Sequence, residues 1–112
     1  MPRFFTTAET VNLSPKLVSL LDSAREIAGI TFVITCGWRS AEYNTSIGGA
    51  PNSAHTRGLA VDLSCRDSAT RFRMVPALYQ AGFKRIELAP WHIHVDCDET
   101  LAQNVLWLGD DK

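Results

Sequence analysis

The stretch HIHVDC, residues 92–97, alternates polar and apolar side chains. Because successive side chains of a β-strand point to opposite faces, its two histidines share one face with Asp96. An earlier stretch, LAVDLS at residues 59–64, also has strand character and places Asp62 among apolar neighbours. Burying a carboxylate there costs free energy unless it is paired or bound to a metal. The two stretches therefore predict two strands, one of them with a carboxylate that needs a partner.

Two helices are predicted on either side of the first strands. Ser14 and the proline after it are typical of a helix start, apolar residues follow at helical spacing, and Gly29 predicts a left-handed cap. Ser68 is expected to cap the second helix, which ends at Gly82. A proline inside that helix, Pro76, is expected to kink it or split it into two turns. Its apolar face is expected to comprise Phe72, Val75, Leu78 and Tyr79.

The remaining segments complete a small α+β domain. Residues 31–36 are rich in β-branched side chains and predict a buried strand, and residues 83–88 predict another. Residues 37–54 predict a long loop, of the kind that carries function. Residues 100–108 fit either a short helix or an edge strand. With two main helices and a turn between the last two strands too short for a parallel crossover, we expect a single domain over residues 1–112 with a largely antiparallel sheet.

Composition and charge exclude several classes of protein. The chain has 112 residues and a net charge of -1, so it has no basic surplus for nucleic-acid binding. No apolar run approaches the roughly 20 residues of a membrane span. The first residues lack the apolar core of a secretory signal, which predicts a cytosolic protein or one that leaves by another route. Three cysteines, Cys36, Cys65 and Cys97, predict reduced thiols in strands, although an internal bridge stays open.

Histidines and Asp62 together predict a metal centre. His55, Asp62 and one of His92 and His94 would supply two nitrogens and one oxygen, a set that leaves a zinc position open for water. The alternative is that Asp62 pairs with an arginine and that the strand histidines only make hydrogen bonds. The spacing of seven residues between His55 and Asp62 does not by itself decide between these readings.

Several motifs together carry a family resemblance. They are GWRS at residues 37–40, Asn44, the glycine pair 48–49, SAHTRGLAVDL at 53–63 and WHIHVD at 91–96. In this order they resemble the M15 family of zinc D-Ala-D-Ala peptidases, and most closely the subgroup of that family whose last motif reads W-x-H-V-D or H-x-H. The resemblance runs from about residue 14 to residue 96, and it implies the fold shared by hedgehog domains and DD-peptidases.

The resemblance implies roles for individual residues. His55, Asp62 and His94 match the zinc ligands of the family. Arg39 matches an arginine that stabilises the oxyanion or holds a substrate carboxylate, tasks that suit its fork of donors. The alternative for Arg39 is a salt bridge to Asp62 or Glu42.

Further residues border this predicted site. Ser53 is expected to hold the ring of His55 or to bind the substrate backbone, and Trp91 to line the cleft on the substrate side. Asp96 is expected to orient a ligand histidine. The glycines at 48, 49 and 58 are expected to serve tight turns.

One position departs from the family pattern. Several M15 members carry a carboxylate three residues before the last histidine ligand, where this chain has Trp91. His92 is then the first candidate for proton transfer or for stabilising the tetrahedral intermediate, and Glu87 is the second.

The resemblance implies a zinc-dependent peptidase that cuts peptidoglycan stem peptides. It covers D-Ala-D-Ala carboxypeptidases and peptidoglycan endopeptidases, and the small size suggests a phage or prophage endolysin that acts on the cell wall. We expect a monomer with Zn²⁺ as its cofactor and no nucleic-acid or membrane partner. Two alternatives stay open: a hedgehog-like zinc module without turnover, and a metal-free domain that binds cell-wall peptides.

Overall fold

The computed structural model describes residues 4–109, so the first and last three residues of the predicted 1–112 domain lie outside it. The described residues form helices and two strands up to Ala81 and end in three successive strands. In order they are α1 (Pro15–Ala28), β1 (Ile34–Cys36), α2 (Ala41–Ser46), a 3₁₀ helix (Ala54–Arg57), β2 (Ala60–Ser64), α3 (Ser68–Ala81), β3 (Arg85–Leu88), β4 (His92–Asp96) and β5 (Val105–Leu108). No helix within residues 4–109 is long and apolar enough to cross a membrane.

Helix α1 begins and ends as its sequence predicts. The Ser14 hydroxyl accepts a hydrogen bond from the backbone N–H of Leu17 and so partners one of the first N–H groups of the helix. Gly29 has a φ of 68° and its N–H closes the last turn on Arg25. Leu17 and Leu21 are fully buried, so this amphipathic helix packs its apolar stripe inward.

Helix α3 corrects its predicted cap and part of its predicted apolar face. Asp67, not Ser68, is the N-cap, because its carboxylate accepts the N–H of Thr70 at 2.7 Å. The helix runs from Ser68 to Ala81 as one element with Pro76 inside it, so it is not split. Its buried residues are Met74, Ala77 and Leu78, while Phe72 and Tyr79 of the predicted apolar face are exposed. The reason is that packing against α1 selects the neighbouring stripe of the helix.

The five strands form one mixed sheet in the order β1-β2-β4-β3-β5. The first three neighbouring pairs are antiparallel, which confirms the largely antiparallel prediction, and β3 pairs with β5 in parallel. Residues 105–108 are therefore an edge strand, which resolves the choice between helix and strand. The parallel pairing follows because residues 97–104 bring the chain back to the beginning of β3.

The register places one row of chemistry-bearing residues across the sheet. Asp62 lies opposite both Cys36 and His94, and Glu87 lies opposite both His94 and Trp107. Residues directly opposite each other point to the same face, so the row shares one side of the sheet.

The opposite face of the sheet forms the core with α1 and α3. Its central side chains are fully buried and belong to the same cluster as the buried leucines of the helices. They are Val61, Leu63, Ile93 and Val95.

Residues 37–54 are not the continuous loop that glycine and proline predict. They contain α2, which begins after Ser40, whose hydroxyl accepts the N–H of Tyr43 at 3.1 Å. The strand predicted for residues 31–36 shortens to Ile34–Cys36. A local cap that a Ser provides is enough to start this helix of six residues inside a glycine-rich segment.

Candidate metal centre

The carboxylate of Asp62 contacts two imidazole rings. Its Oδ1 lies 3.0 Å from His94 Nδ1 and 3.4 Å from His55 Nε2. Asp62 and His94 face each other across strands β2 and β4, and His55 comes from the 3₁₀ helix just before β2. The two rings lie with their centroids 5.3 Å apart. The structure thus brings together the three residues that match the family's zinc ligands.

A second contact fixes the far nitrogen of each ring. His55 Nδ1 lies 2.9 Å from the carbonyl oxygen of Gly37, and His94 Nε2 lies 2.8 Å from Oδ2 of Asp96. A carbonyl only accepts, so Nδ1 of His55 carries the proton and Nε2 faces Asp62 with its lone pair when the ring is neutral. Asp96 orients His94 as the sequence predicts. Such contacts to the outer nitrogen are typical of metal-ligating histidines.

Charges in the cluster support one another. Burial alone would lower the pKa of His55, but hydrogen bonds to Asp62 and Cys36 outweigh it and raise the pKa to about 9. Burial would likewise lower the pKa of His94, but its bonds to the carboxylates of Asp62 and Asp96 outweigh burial and raise the pKa. Burial would raise the pKa of Asp62, yet its bonds to both histidines hold that pKa below its ordinary value. The space between these side chains therefore stabilises positive charge.

The donor set fits zinc. Zinc takes nitrogen and oxygen ligands at about 2.0–2.1 Å, so two ligand atoms of a tetrahedral site lie about 3.3 Å apart. The two separations from Asp62 Oδ1, 3.0 and 3.4 Å, bracket that value. Three protein ligands of this type, two imidazoles and one carboxylate, are typical of an open, catalytic site.

Cys36 offers a second group of candidate ligands. Its thiol, His55 and Asp62 have ligand atoms that all lie within 4.8 Å of one another. The sulfur approaches His55 from the Nδ1 side, at 3.8 Å, where the Gly37 carbonyl already binds. His94, whose Nδ1 lies 3.0 Å from Asp62 Oδ1, and Cys36 are therefore the two candidates for the third ligand. The sequence predicts for Cys36 only a thiol in a strand, because its proximity to Asp62 depends on the pairing of β1 with β2.

Arg39 lies beside the cluster and binds neither Asp62 nor Glu42 among the described residues. Its Nε donates to Cys36 Sγ at 3.2 Å, and its Nη1 donates to Asn44 Oδ1 at 3.2 Å. Its backbone N–H donates to the carbonyl of His55 at 3.2 Å, which ties the arginine to the 3₁₀ helix.

Another arginine, Arg57, also binds elsewhere than Asp62. It pairs with the fully buried carboxylate of Asp98, which follows β4. Asp62 therefore contacts two histidines, and the arginine pairing that was its alternative does not occur among the described residues. The Arg57–Asp98 pair connects the 3₁₀ helix that carries His55 to the end of the strand that carries His94.

The two candidates for proton transfer flank His94. His92 lies two residues before it on β4, opposite Ser64, and is half-buried. Glu87 lies directly opposite His94 on β3 and is also half-buried. The carboxylate of Glu87 packs against Gly109, where an added Cβ would lie 2.8 Å from Glu87 Cγ. Both candidates therefore share the face of the sheet that carries Asp62.

The sequence of the chain matches the model of one protein family. The Peptidase M15 family model matches residues 4–96, most of the chain. The chain belongs to the M15 peptidase family. Members of this family are zinc peptidases, and the match covers every residue of the cluster around Asp62. A search of curated proteins finds no match.

The structure shows the contacts of Ser53 and Trp91, the two residues expected on the substrate side of this M15 chain. Ser53 is the cap of the 3₁₀ helix, and its hydroxyl accepts the backbone N–H of His55 at 3.2 Å. The ring of His55 is held by Gly37, so Ser53 does not hold it. Trp91 precedes β4 and is 54% exposed, with the guanidinium of Arg66 lying 5.6 Å from its ring centroid. The M15 chain thus presents an exposed aromatic beside His92.

Proposed function

We propose that this M15 chain is a zinc-dependent peptidase that hydrolyses peptidoglycan stem peptides. The observation that carries the proposal is that Asp62 Oδ1 lies near both His55 Nε2 and His94 Nδ1, at two separations that suit ligand pairs of tetrahedral zinc. In this proposal these three residues hold the zinc. When bound, zinc supplies Lewis-acid chemistry, which polarises a carbonyl and makes water a nucleophile near neutral pH.

Arg39 is the residue that we propose for binding negative charge. Its backbone is tied to His55, and two contacts hold its guanidinium beside the cluster. A fixed guanidinium can donate to the oxyanion of the tetrahedral intermediate or to a substrate carboxylate without reorganising during the reaction. Stem peptides carry free carboxylates, so either task suits the proposed substrate.

Proton transfer is proposed for His92, with Glu87 as the alternative. Both lie on the face of the sheet that carries His94, His92 along the same strand and Glu87 across to the next. A neutral imidazole can accept a proton from water and return it to the leaving amine, and a carboxylate can do the same. We propose Trp91 and Ser53 as substrate-side residues, with Trp91 supplying an exposed apolar surface.

Two finer assignments rest on the family resemblance. The bond cut is that of a D-Ala-D-Ala carboxypeptidase or of a peptidoglycan endopeptidase. The biological setting that we propose is lysis of the cell wall by a phage or prophage endolysin.

Mass spectrometry of peptidoglycan fragments tests the proposal. Purified stem peptides and cross-linked dimers are incubated with zinc-loaded protein, with chelator-treated protein and with a zinc-loaded His94→Ala variant. We expect a product only with the zinc-loaded wild type, and its mass names the bond: loss of one alanine for a carboxypeptidase, a split cross-link or an inner cut for an endopeptidase. The absence of product on every substrate would contradict the proposal.

A second candidate is a zinc module without turnover, as in hedgehog domains. Trp91 favours it, because it replaces the carboxylate that several M15 members carry at this position. Stoichiometric zinc without cleavage of any stem peptide would select this candidate. Cleavage without zinc would exclude both.

A further inference from the structure

The guanidinium of Arg39 is held at two points. Its Nε donates to Cys36 Sγ and its Nη1 donates to Asn44 Oδ1, each at 3.2 Å. The donors of a guanidinium lie in one rigid plane, so two contacts at different nitrogens fix both its position and its tilt. A strand residue supplies one contact and a residue of α2 the other.

Asn44 is the less expected of these two partners. It lies on a six-residue helix whose other residues are exposed, and yet it is only 4% exposed. Its Nδ2 donates to the carbonyl of Ala50 at 2.9 Å, and the backbone carbonyl of Asn44 accepts the N–H of Gly49 at 2.8 Å. A buried amide is stable only when its donor and its acceptor are both used. The contact to Ala50 directs Nδ2 away from Arg39, and Oδ1 is left to accept from it.

Gly49 provides the space that this arrangement needs. A Cβ added at Gly49 would lie 2.7 Å from Asn44 Cγ and would collide with Oδ1. Gly49 does not have a positive φ, so the need for glycine here is one of close approach rather than of turn geometry. The adjacent Gly48 is the opposite case, because its φ is 74° and an added Cβ would meet nothing within 4 Å.

We propose that Asn44 is the positioning residue of Arg39 and that Gly49 is required to keep its amide in place. Asn44 acts through the arginine and not on substrate. Its effect on turnover rests on the role of Arg39 in the proposed function, whereas its effect on the guanidinium does not. In this proposal, residues 44–50 hold the guanidinium of Arg39 beside the cluster around Asp62.

The neighbouring glycines give a matched pair of variants. Gly49→Ala pushes on the Asn44 amide without backbone strain, and Gly48→Ala strains the backbone without touching Asn44. We expect Gly49→Ala to lower kcat on the stem peptide at least tenfold with zinc still stoichiometric, and Gly48→Ala to stay within threefold of wild type. Equal losses in both variants would overturn the proposal, because they would indicate general damage to the segment.

A double-mutant cycle separates positioning from stability. In an Arg39→Ala background, Gly49→Ala should cost less than a further twofold in kcat, since no guanidinium remains to be positioned. Asn44→Leu, close in size and unable to accept a hydrogen bond, serves as the second variant in case Gly49→Ala does not fold. Multiplicative losses with Arg39→Ala would refute the positioning role.

Nitrogen-15 NMR of the arginine side chain tests the same point without turnover. The Nε–H signal of Arg39 is assigned by its loss in Arg39→Lys. We expect its exchange with water to quicken at least fivefold in Gly49→Ala and Asn44→Leu and to stay within twofold in Gly48→Ala. Unchanged exchange in the first two variants would overturn the proposal. Quickened exchange in a protein that cleaves no stem peptide would keep it and reject the proposed function.

Discussion

The two faces of the sheet are built from alternate residues of the same strands, and they are stabilised in different ways. On the helix side, Leu63 and Ile93 are fully buried in a cluster of apolar side chains, where burial is favourable whatever the direction of contact. On the other side, Asp62 and His94 depend on particular partners at particular distances. A slip of one residue in the register would exchange the two faces, so the core and the site are specified by the same pairing of β2 with β4.

The difference shows in how each face tolerates change. An apolar side chain can be replaced by a smaller one at a cost set by the volume lost. A buried polar group that loses its partner carries the full cost of desolvation. Within residues 4–109, each buried side-chain nitrogen or oxygen atom has a hydrogen-bond partner. The polar face is thus a closed set of contacts, in which one substitution leaves another group unpaired.

The largest expected effect comes from His94→Ala, which breaks the polar face alone. We expect loss of stoichiometric zinc, because one of three ligands is removed, while the apolar face stays intact. Metal analysis after dialysis measures it. Asp96→Asn is the matched control, since it keeps all three proposed ligands while it weakens the contact that orients the ring and the ion pair to Arg85. We expect about 10–100-fold weaker zinc binding. Tight zinc in His94→Ala would refute the ligand assignment and direct attention to Cys36→Ser.

Arg39→Ala is expected to separate zinc binding from turnover. The arginine contacts Cys36 and Asn44 but none of the three proposed ligand side chains, so zinc should remain stoichiometric. Loss of a donor to developing negative charge should lower kcat/KM about 10²–10³-fold. Steady-state kinetics on a stem peptide, with metal analysis of the same sample, measures both. Zinc loss in this variant would be the contrary result.

Leu63→Ala is expected to break the apolar face and leave the polar face in place. Removing a fully buried leucine should lower the free energy of unfolding by about 3 kcal/mol. Leu108→Ala, at a position 84% exposed on β5, is the matched control and should cost under about 0.5 kcal/mol. Denaturant titrations measure both. Folded Leu63→Ala that binds no zinc would show that the two faces are less separable than we infer.

The ion pair of Asp98 predicts a pH dependence of stability. Its bond to Arg57 lowers the pKa of the Asp98 carboxyl to about 2, from an ordinary value near 4. The stabilisation, about 2 kcal/mol, is therefore present above about pH 4 and is lost as the pH falls to about 2. We expect the stability difference between wild type and Asp98→Asn to shrink by that amount over this range. A constant difference between wild type and Asp98→Asn over this range would contradict the assignment.

The smallest expected effect is a ranking of the two proton-transfer candidates on the polar face. We expect His92→Ala to lower kcat/KM at least tenfold more than Glu87→Gln does, a difference of about 1.4 kcal/mol. Glu87 packs against Gly109 on the β5 side of the sheet, which agrees with its rank as the second candidate. Parallel kinetics of the two variants on one stem peptide decides, and the reverse order would identify Glu87 as the base.

The sequence by itself determined the features that depend on near neighbours. The caps of α1 at Ser14 and Gly29 involve contacts within four residues, so they can be predicted without knowledge of the fold. The alternation in residues 92–97 assigned His94 and Asp96 to one face before any partner was known. The ordered set of motifs, taken as a resemblance, also pointed to the M15 family and to Arg39.

Tertiary structure decided which of these residues meet. Spacing left open whether His92 or His94 joins Asp62, and the register of β4 against β2 selects His94. The choice of buried stripe on α3 and the parallel pairing of β5 likewise depended on packing against distant elements. The sequence motifs contain Asn44 and Gly49 but do not predict that Asn44 contacts Arg39, because that contact depends on how the buried amide packs against Gly49. Such contacts form only when the chain is compact. Burial and strand pairing between distant residues then select among the alternatives that local preference leaves open.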